Sequence, residues 1–185
     1  MRSLMIVFRR SSLPLRWGFL AVGLILCLAS WAAAEDITIS EKDFGCVIGL
    51  PKVRNTFVRH ADPAKQKEAM RILQDRVPDA EYPVGTILQL VPAEAMVKHP
   101  HDKFPNTNGW EFFALDLSEQ GTKIRDRGDQ VKNLSVNLPC LSCHVPAKKF
   151  DFVCEKGHGC APLPFDDQKI AEIQNADPRC VKKKG

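Results

Sequence analysis

The sequence predicts a single α+β domain that is mainly β, and three observations predict it. Two segments rich in β-branched or aromatic residues, 86–91 and 110–117, are bounded by proline or glycine, as strands commonly are. Helical periodicity is confined to a few short segments. No repeat, low-complexity tract or long linker divides the 185-residue chain.

The first predicted helix begins at a clear start signal. Asp62 is a good N-cap residue, and Pro63 suits the first turn of a helix. Met70, Leu73 and Val77 then recur at helical spacing. The proline that follows Val77 cannot continue a helix, so the pattern predicts one amphipathic helix that ends there.

The other predicted elements are shorter. A third strand is expected over 122–125, after the aromatic strand. A short helix is expected directly after Pro139. Ile170 and Ile173 indicate a terminal helix that ends before Pro178.

The amino-terminal segment has the layout of a secretory signal. Arginines precede an uninterrupted apolar run at 18–28, and three alanines at 32–34 precede the first acidic residues. We expect cleavage after Ala34, export to the periplasm and a mature domain of residues 35–185. The apolar run is short for a membrane span, so no membrane attachment is expected after processing.

The charge of the chain lies partly in this segment. Four of the 26 basic side chains and none of the 22 acidic ones fall within 1–34, so the predicted mature chain carries equal numbers of each. A nucleic-acid partner is therefore not expected, and Lys182-Lys183-Lys184 is interpreted as a solvated terminus.

One five-residue string points to specific chemistry: Cys140-Leu141-Ser142-Cys143-His144. Two cysteines separated by two residues and followed by a histidine are typical of covalent haem c attachment. Each thiol forms a thioether to one haem vinyl group, and the histidine is the proximal iron ligand. The sequence therefore predicts haem c (iron) bound by Cys140, Cys143 and His144.

The remaining cysteines of the mature chain suit an oxidising compartment. Cys154 and Cys160 close a short glycine-containing loop, which favours a disulfide between them. Cys46 and Cys180 then form a second pair that ties the two ends together. Sequence alone leaves the other pairings, and free buried thiols, open.

Several segments follow one another in a characteristic order: a Gly-Thr strand start at 85–86, then 94–98, 108–113, the late haem motif and 151–153. That order, over about residues 85–153, resembles the cytochrome P-460 family and its relative cytochrome c-prime-beta. The resemblance implies an antiparallel sheet with a few helices around one haem, a periplasmic location and commonly a homodimer.

The resemblance also bears on the reaction. Family members that oxidise hydroxylamine carry an extra covalent bond from a lysine to the haem. On the strand opened by Gly85, the position expected for that lysine holds Leu90. This departure moves the expectation from hydroxylamine oxidation towards the relative that binds diatomic gases such as nitric oxide. Lys98 is the outside candidate for the cross-link, and the alternative is a solvated lysine at a strand end.

An iron with His144 on one side and no strong ligand on the other is expected to be five-coordinate and open to a small-molecule or gaseous ligand. A periplasmic electron donor or acceptor is the expected protein partner. The alternative is a six-coordinate electron-transfer cytochrome, with a sixth ligand from His60, Met96, His99 or His101. Because His99 and His101 flank a proline near charged residues, we expect both in an exposed loop.

Aromatic residues on the strand 110–117 are candidates for the haem wall. Trp110 and Phe112 could keep water from one haem face, or they could be core residues without cofactor contact. Glu111 and Asp116 are candidate proton-transfer groups, with solvent exposure on the other strand face as the alternative. His158, between two glycines, is interpreted as a loop histidine or a histidine behind the haem ligands. No residue is assigned as catalytic.

A secreted domain held together by structural zinc is the alternative from another class of protein. Such a site needs four cysteine or histidine ligands. The candidates are Cys140, Cys143, His144, Cys154, His158 and Cys160.

Overall fold

The computed structural model describes residues 36–133 and 137–180, and its main feature is a six-stranded antiparallel sheet. The strands are adjacent in sequence order: β1 (Lys52–Val53), β2 (Thr56–Arg59), β3 (Ile87–Gln89), β4 (Glu94–Lys98), β5 (Trp110–Ser118) and β6 (Gly121–Gly128). β7 (Lys132–Asn133) and β8 (Leu138–Pro139) pair separately. The helices are α1 (Pro63–Asp75), α2 (Cys140–His144) and α3 (Asp167–Asn175). The predicted class, α+β and mainly β with an antiparallel sheet, is confirmed.

The helix α1 begins as the sequence predicts and ends two residues before Val77, the last residue of the predicted helix. The Asp62 carboxylate accepts hydrogen bonds from the backbone N–H groups of Ala64 and Lys65, so it caps the first turn. Arg76 adopts the left-handed conformation (φ 52°) that closes the helix just before the proline. Ile72 and Leu73 are the buried residues of its last turns.

The strand β5 separates two apolar clusters because successive side chains point to opposite faces of a sheet. Trp110, Phe112 and Ala114 pack with α1 on one side, which we call the front face. Phe113 and Leu115 pack in the second cluster, on what we call the back face. The haem motif contacts the front-face cluster, so this face positions the candidate site.

The sequence patterns do not predict β1 and β2. These strands have two and four residues, too few for a period of two to stand out. They are held by pairing with neighbours: β2 pairs with β3 in the register Val58 to Leu88. The strand predicted over 122–125 is longer than expected, because β6 pairs with β5 as far as Phe112 opposite Gly128.

Two disulfides lie in the described ranges, and one of them joins distant parts of the chain. Cys46 and Cys180 are bonded across 134 positions of sequence, and Cys154 and Cys160 across six. Both pairs are the predicted ones. The predicted signal segment lies outside the described residues. Within the described ranges, every helix is too short or too polar to cross a bilayer.

Candidate functional site

The haem motif forms a single helical turn. α2 starts directly after Pro139 and contains all five motif residues. The backbone N–H of Cys140 donates to the carbonyl of Val131 (2.8 Å), which ties the start of the helix to the segment before β7. Within the described part of the chain, Cys140 and Cys143 are the cysteines outside disulfides. The motif therefore keeps two free thiols on one turn, three positions apart.

The two thiols differ in environment. Cys140 is half-buried and packs against the front-face cluster, whereas Cys143 is exposed. Burial raises the pKa of the Cys140 thiol to about 11, and the nearby Glu94 carboxylate adds to that rise. Glu94 is itself held by the side-chain amide of Asn133 (2.6 Å), and burial raises the pKa of its carboxyl.

His144 is oriented by a backbone acceptor. Its Nδ1 lies 2.7 Å from the carbonyl oxygen of Phe152, and a carbonyl only accepts, so Nδ1 carries the proton. The ring packs edge-on against Phe112, with centroids 5.0 Å apart. Burial lowers the pKa of His144, and the bond to Phe152 opposes that change. Its Nε2 has no partner among the described residues, so the neutral ring presents a free lone pair.

A small cavity and two exposed apolar side chains lie beside the motif. A cavity of about 240 Å³ lies beside Cys140, between Glu94 of β4 and Phe113 of β5. Leu138 and Val145, the residues two before and one after the motif's ends, each expose 50% of their surface. Large apolar side chains flanking the motif are thus left uncovered by the polypeptide.

The short disulfide loop, residues 154–160, packs against the motif. The Sγ of Cys154 lies 3.3 Å from the carbonyl oxygen of Cys143. Gly159 has a positive φ of 91°, and a Cβ built there would lie 2.9 Å from the carbonyl oxygen of Pro146. Only glycine fits this approach without a shift, so the loop closes tightly over the end of α2.

His158 lies in that loop, as one of the two interpretations predicts, and its side chain is buried. Its ring stacks on Phe150 with centroids 3.9 Å apart, and its Nδ1 donates to the carbonyl of Val153 (2.7 Å). The Nε2 of His158 is buried without a hydrogen-bond partner among the described residues.

Of the two predicted aromatic wall residues, Phe112 packs against His144, whereas the ring contacts of Trp110 are with other residues. Trp110 is fully buried beside Tyr82, with ring centroids 5.5 Å apart. Its other neighbour is Lys98, whose Nζ lies 5.4 Å from the Trp110 ring. Both aromatic residues belong to the front-face cluster.

Lys98 is not a solvated strand-end lysine, which corrects that expectation. It exposes only 3% of its surface, and its Nζ donates to both oxygens of Asp151 (2.7 and 2.8 Å) and to the carbonyl of Asn108 (2.6 Å). The sequence reasoning does not single out Asp151 as a functional residue. In the sequence, Asp151 is noted only as part of the segment 151–153 that contributes to the family resemblance.

Leu90 lies directly after β3. It is half-buried, and its carbonyl accepts a hydrogen bond from the Gln174 side chain (2.7 Å).

His99 and Glu111 are both buried, which corrects the expectation of an exposed loop for His99 and excludes the solvent-exposed alternative for Glu111. They lie on the back face, where the Nε2 of His99 is 2.8 Å from Glu111 and the Arg127 guanidinium makes two hydrogen bonds to the same carboxylate. Burial raises the pKa of Glu111, but His99 and Arg127 outweigh it and leave the pKa lowered. Asp116 is exposed and pairs with Arg125, as the solvent alternative predicts.

The other candidate sixth ligands differ in access. His101 is exposed, as expected. Both nitrogens of His60 are engaged, one by the N–H of Asp62 and one by the carbonyl of Val84. Met96 belongs to the front-face cluster and pairs across strands with Phe112. Of these side chains, Met96 therefore shares a face of the sheet with the motif.

The residues proposed for zinc are not gathered into a site. Cys154 and Cys160 are bonded to each other, which removes two of the thiolates that the alternative needs. The cluster of metal-ligating side chains found in the described ranges is Cys46, Asp177 and Cys180, whose cysteines form the other disulfide.

Comparison of the chain with family models, with curated proteins and with solved structures found no match. The resemblance to the cytochrome P-460 family therefore stays a prediction. What can be concluded about the site rests on its own geometry: two free thiols and one oriented imidazole on a single helical turn against an apolar sheet face.

Proposed function

We propose that this chain is an exported c-type cytochrome that carries one haem on Cys140 and Cys143, with His144 as the proximal iron ligand. The observation that carries the proposal is the state of the motif. Four cysteines are consumed in disulfides while the two motif cysteines stay free, and the adjacent imidazole has its Nδ1 bonded and its Nε2 open.

The residues around the motif fit such a group. Metal-binding histidines commonly donate their second ring N–H to a backbone carbonyl, which sets the tautomer and raises ligand basicity, and Phe152 supplies that acceptor here. Phe112 packs against the imidazole and restricts its rotation. The cavity of about 240 Å³ beside Cys140 is below the roughly 300–1,000 Å³ of typical ligand sites. A haem held by Cys140 and Cys143 would therefore not be enclosed by this cavity alone, and Leu138 and Val145 are exposed apolar side chains beside the motif.

When bound, the haem supplies an iron for electron transfer or for binding a small ligand such as nitric oxide. The polypeptide would supply His144 as one iron ligand and keep the other candidate side chains from binding the iron. The rings of His60 and His99 are occupied by other partners, and His101 is at the surface. This supports a five-coordinate iron, with Met96 as the ligand of the six-coordinate alternative.

Hydroxylamine oxidation is the less favoured reaction. Leu90 has no amine to bond to the macrocycle, and the Nζ of Lys98 already donates to three oxygen atoms. A gas-binding or electron-transfer role needs neither lysine. We expect the physiological ligand to be a diatomic nitrogen oxide or a related small molecule.

The test is an intact mass and an absorption spectrum of the chain coexpressed with a cytochrome c maturation apparatus. We expect the mass of one added haem and a high-spin reduced spectrum that changes with nitric oxide. The Cys140→Ser/Cys143→Ser variant should lose the haem, while the matched Cys154→Ser/Cys160→Ser variant should keep it. A colourless chain of unmodified mass contradicts haem attachment.

The spectrum also separates the remaining alternatives. Low-spin bands that nitric oxide does not change would exclude an open iron and indicate a six-coordinate electron carrier. In that case, Met96→Leu should convert the spectrum to high spin. Zinc without iron in the purified chain would support the structural metal module, although the Cys154–Cys160 disulfide argues against it.

A further inference from the structure

A buried ion pair lies on the front face next to the candidate site. The side chains of Lys98 and Asp151 expose 4% and 1% of their surfaces, and the lysine Nζ lies within 2.8 Å of both carboxylate oxygens. The pair is almost fully removed from water. Such burial is costly unless hydrogen bonds satisfy both partners.

Asp151 is held from three segments of the chain. Besides Lys98 of β4, its carboxylate accepts the backbone N–H of Tyr82 (2.9 Å) and the side-chain amide of Asn108 (2.7 Å). The Lys98 ammonium uses its third donor on the carbonyl of Asn108. All these contacts converge on one carboxylate, so the backbone at Asp151 has little freedom to move.

That backbone is in an unusual conformation. Asp151 and Phe152 both have positive φ angles, 52° and 59°, and neither is glycine. A positive φ is uncommon for a bulky residue such as Phe, and it persists only where the surroundings impose it. The carbonyl of Phe152, placed by this turn, is the acceptor for the Nδ1 proton of His144.

We propose that Lys98 and Asp151 are positioning residues: their ion pair holds the left-handed turn at 151–152, which places the Phe152 carbonyl that orients His144. The consequence for an iron ligand rests on the proposed function. The consequence for the tautomer of His144 does not, because it concerns the polypeptide alone. A purely stabilising ion pair would change the stability of the fold and leave the His144 ring as it is.

The test variant removes both charges together. Lys98→Met leaves Asp151 buried and unpaired, which is expected to unfold the chain. The Lys98→Met/Asp151→Leu variant instead replaces the pair with apolar side chains, an exchange that buried ion pairs often tolerate. Asp151→Asn keeps the shape and an acceptor for Tyr82 but leaves the Lys98 ammonium buried without a counter-ion, so it should be destabilised in the same way as Lys98→Met. The matched control is Asp177→Leu/Arg179→Met, which removes another ion pair with exposures of 0% and 2%.

Two readouts report on His144 itself. In the haem-loaded chain, the iron–histidine stretching band of the reduced protein measures the ligand strength of the imidazole, which the bond to Phe152 raises. In the processed chain without haem, nitrogen-15 NMR identifies the protonated ring nitrogen. We expect the double variant to lower the stretching frequency and to shift His144 from the Nδ1–H form to a mixture dominated by Nε2–H. The Asp177/Arg179 control should change neither.

An unchanged band and an unchanged tautomer in the folded double variant would overturn the proposal and leave the pair a stabilising one. The two proposals fail separately. A chain that never takes up haem, yet shows the Nδ1–H tautomer in the parent and its loss in the double variant, contradicts the proposed function and supports the positioning pair. A normal haem spectrum, with no change of the stretching band or the tautomer in the double variant, supports the proposed function and contradicts the positioning pair.

Discussion

The two thiols of the motif should differ in reactivity before haem is attached, and the difference follows from their burial. Cys140 packs against the front-face cluster and its pKa is raised to about 11, compared with an ordinary 9.0. At pH 8 it therefore presents about one hundredth of the thiolate of an ordinary cysteine. A thiolate of higher pKa is more nucleophilic, which recovers roughly a factor of ten. The net expectation is alkylation about tenfold slower than that of an ordinary thiol.

Single-thiol variants make this measurement clean. In the processed chain, residues 35–185, Cys143→Ser leaves Cys140 as the free thiol and Cys140→Ser leaves the exposed Cys143, with both disulfides intact in each. Iodoacetamide labelling of the haem-free chain at pH 8, followed by mass spectrometry, gives the two rates. Glu94→Gln in the Cys140-only chain should raise its rate, since the carboxylate contributes to the shift. Unfolding in urea should make the two rates equal.

Equal rates in the folded chains would refute the packing of Cys140 against the sheet. Alkylation of Cys140 that is faster than alkylation of Cys143 would refute this packing more strongly, because it would require exposed or positively charged surroundings for the Cys140 thiol.

The remaining predictions concern stability. Replacing Cys46 and Cys180 with serine should lower the free energy of unfolding by about 5 kcal/mol in the chain-entropy model, and replacing Cys154 and Cys160 by about 2 kcal/mol, because the closed loops span 134 and six positions. Urea unfolding measures both values, and equal values would contradict the model. Gly109→Ala should destabilise by roughly 1–3 kcal/mol or more, since φ there is 85° and a Cβ would collide with the carbonyl of His99; an unchanged melting temperature would refute the close approach. Glu111→Gln should remove stability that the parent has above pH 4.5 and loses as the pH falls through the lowered pKa of this carboxyl; parallel pH profiles of parent and variant would contradict this.

The helix starts and the short disulfide could be predicted from the sequence because their causes are local, whereas the Cys46–Cys180 pair followed only as the two cysteines left over. Asp62 caps α1 through N–H groups two and three residues away, and the short disulfide loop closes over six positions. The motif helix likewise starts at the proline that precedes it. Structures that depend on residues close in sequence can be predicted from the sequence pattern itself.

Lys98 and His99 could not be placed in this way, because their partners are distant in sequence. Lys98 pairs with Asp151, 53 residues away, and a lysine at a strand end is ordinarily solvated. His99 follows it in a segment rich in polar residues, yet it is buried against Glu111. The pairing of β4 with β5 brings His99 to Glu111. Lys98 instead meets Asp151 in the turn that follows the motif, outside the sheet.

The alternation of β5 also divides the buried charges between two sites with different consequences. Phe112 faces His144, and the neighbouring Glu111 points to the back face, where Arg127 holds it. A carboxylate fixed on the opposite side of the sheet is poorly placed to exchange protons with a ligand on an iron bound by His144. Glu94, two positions before Met96 on β4, shares the front face and borders the cavity beside Cys140. Any acid–base group that serves the proposed iron is therefore to be sought on β4 rather than on β5.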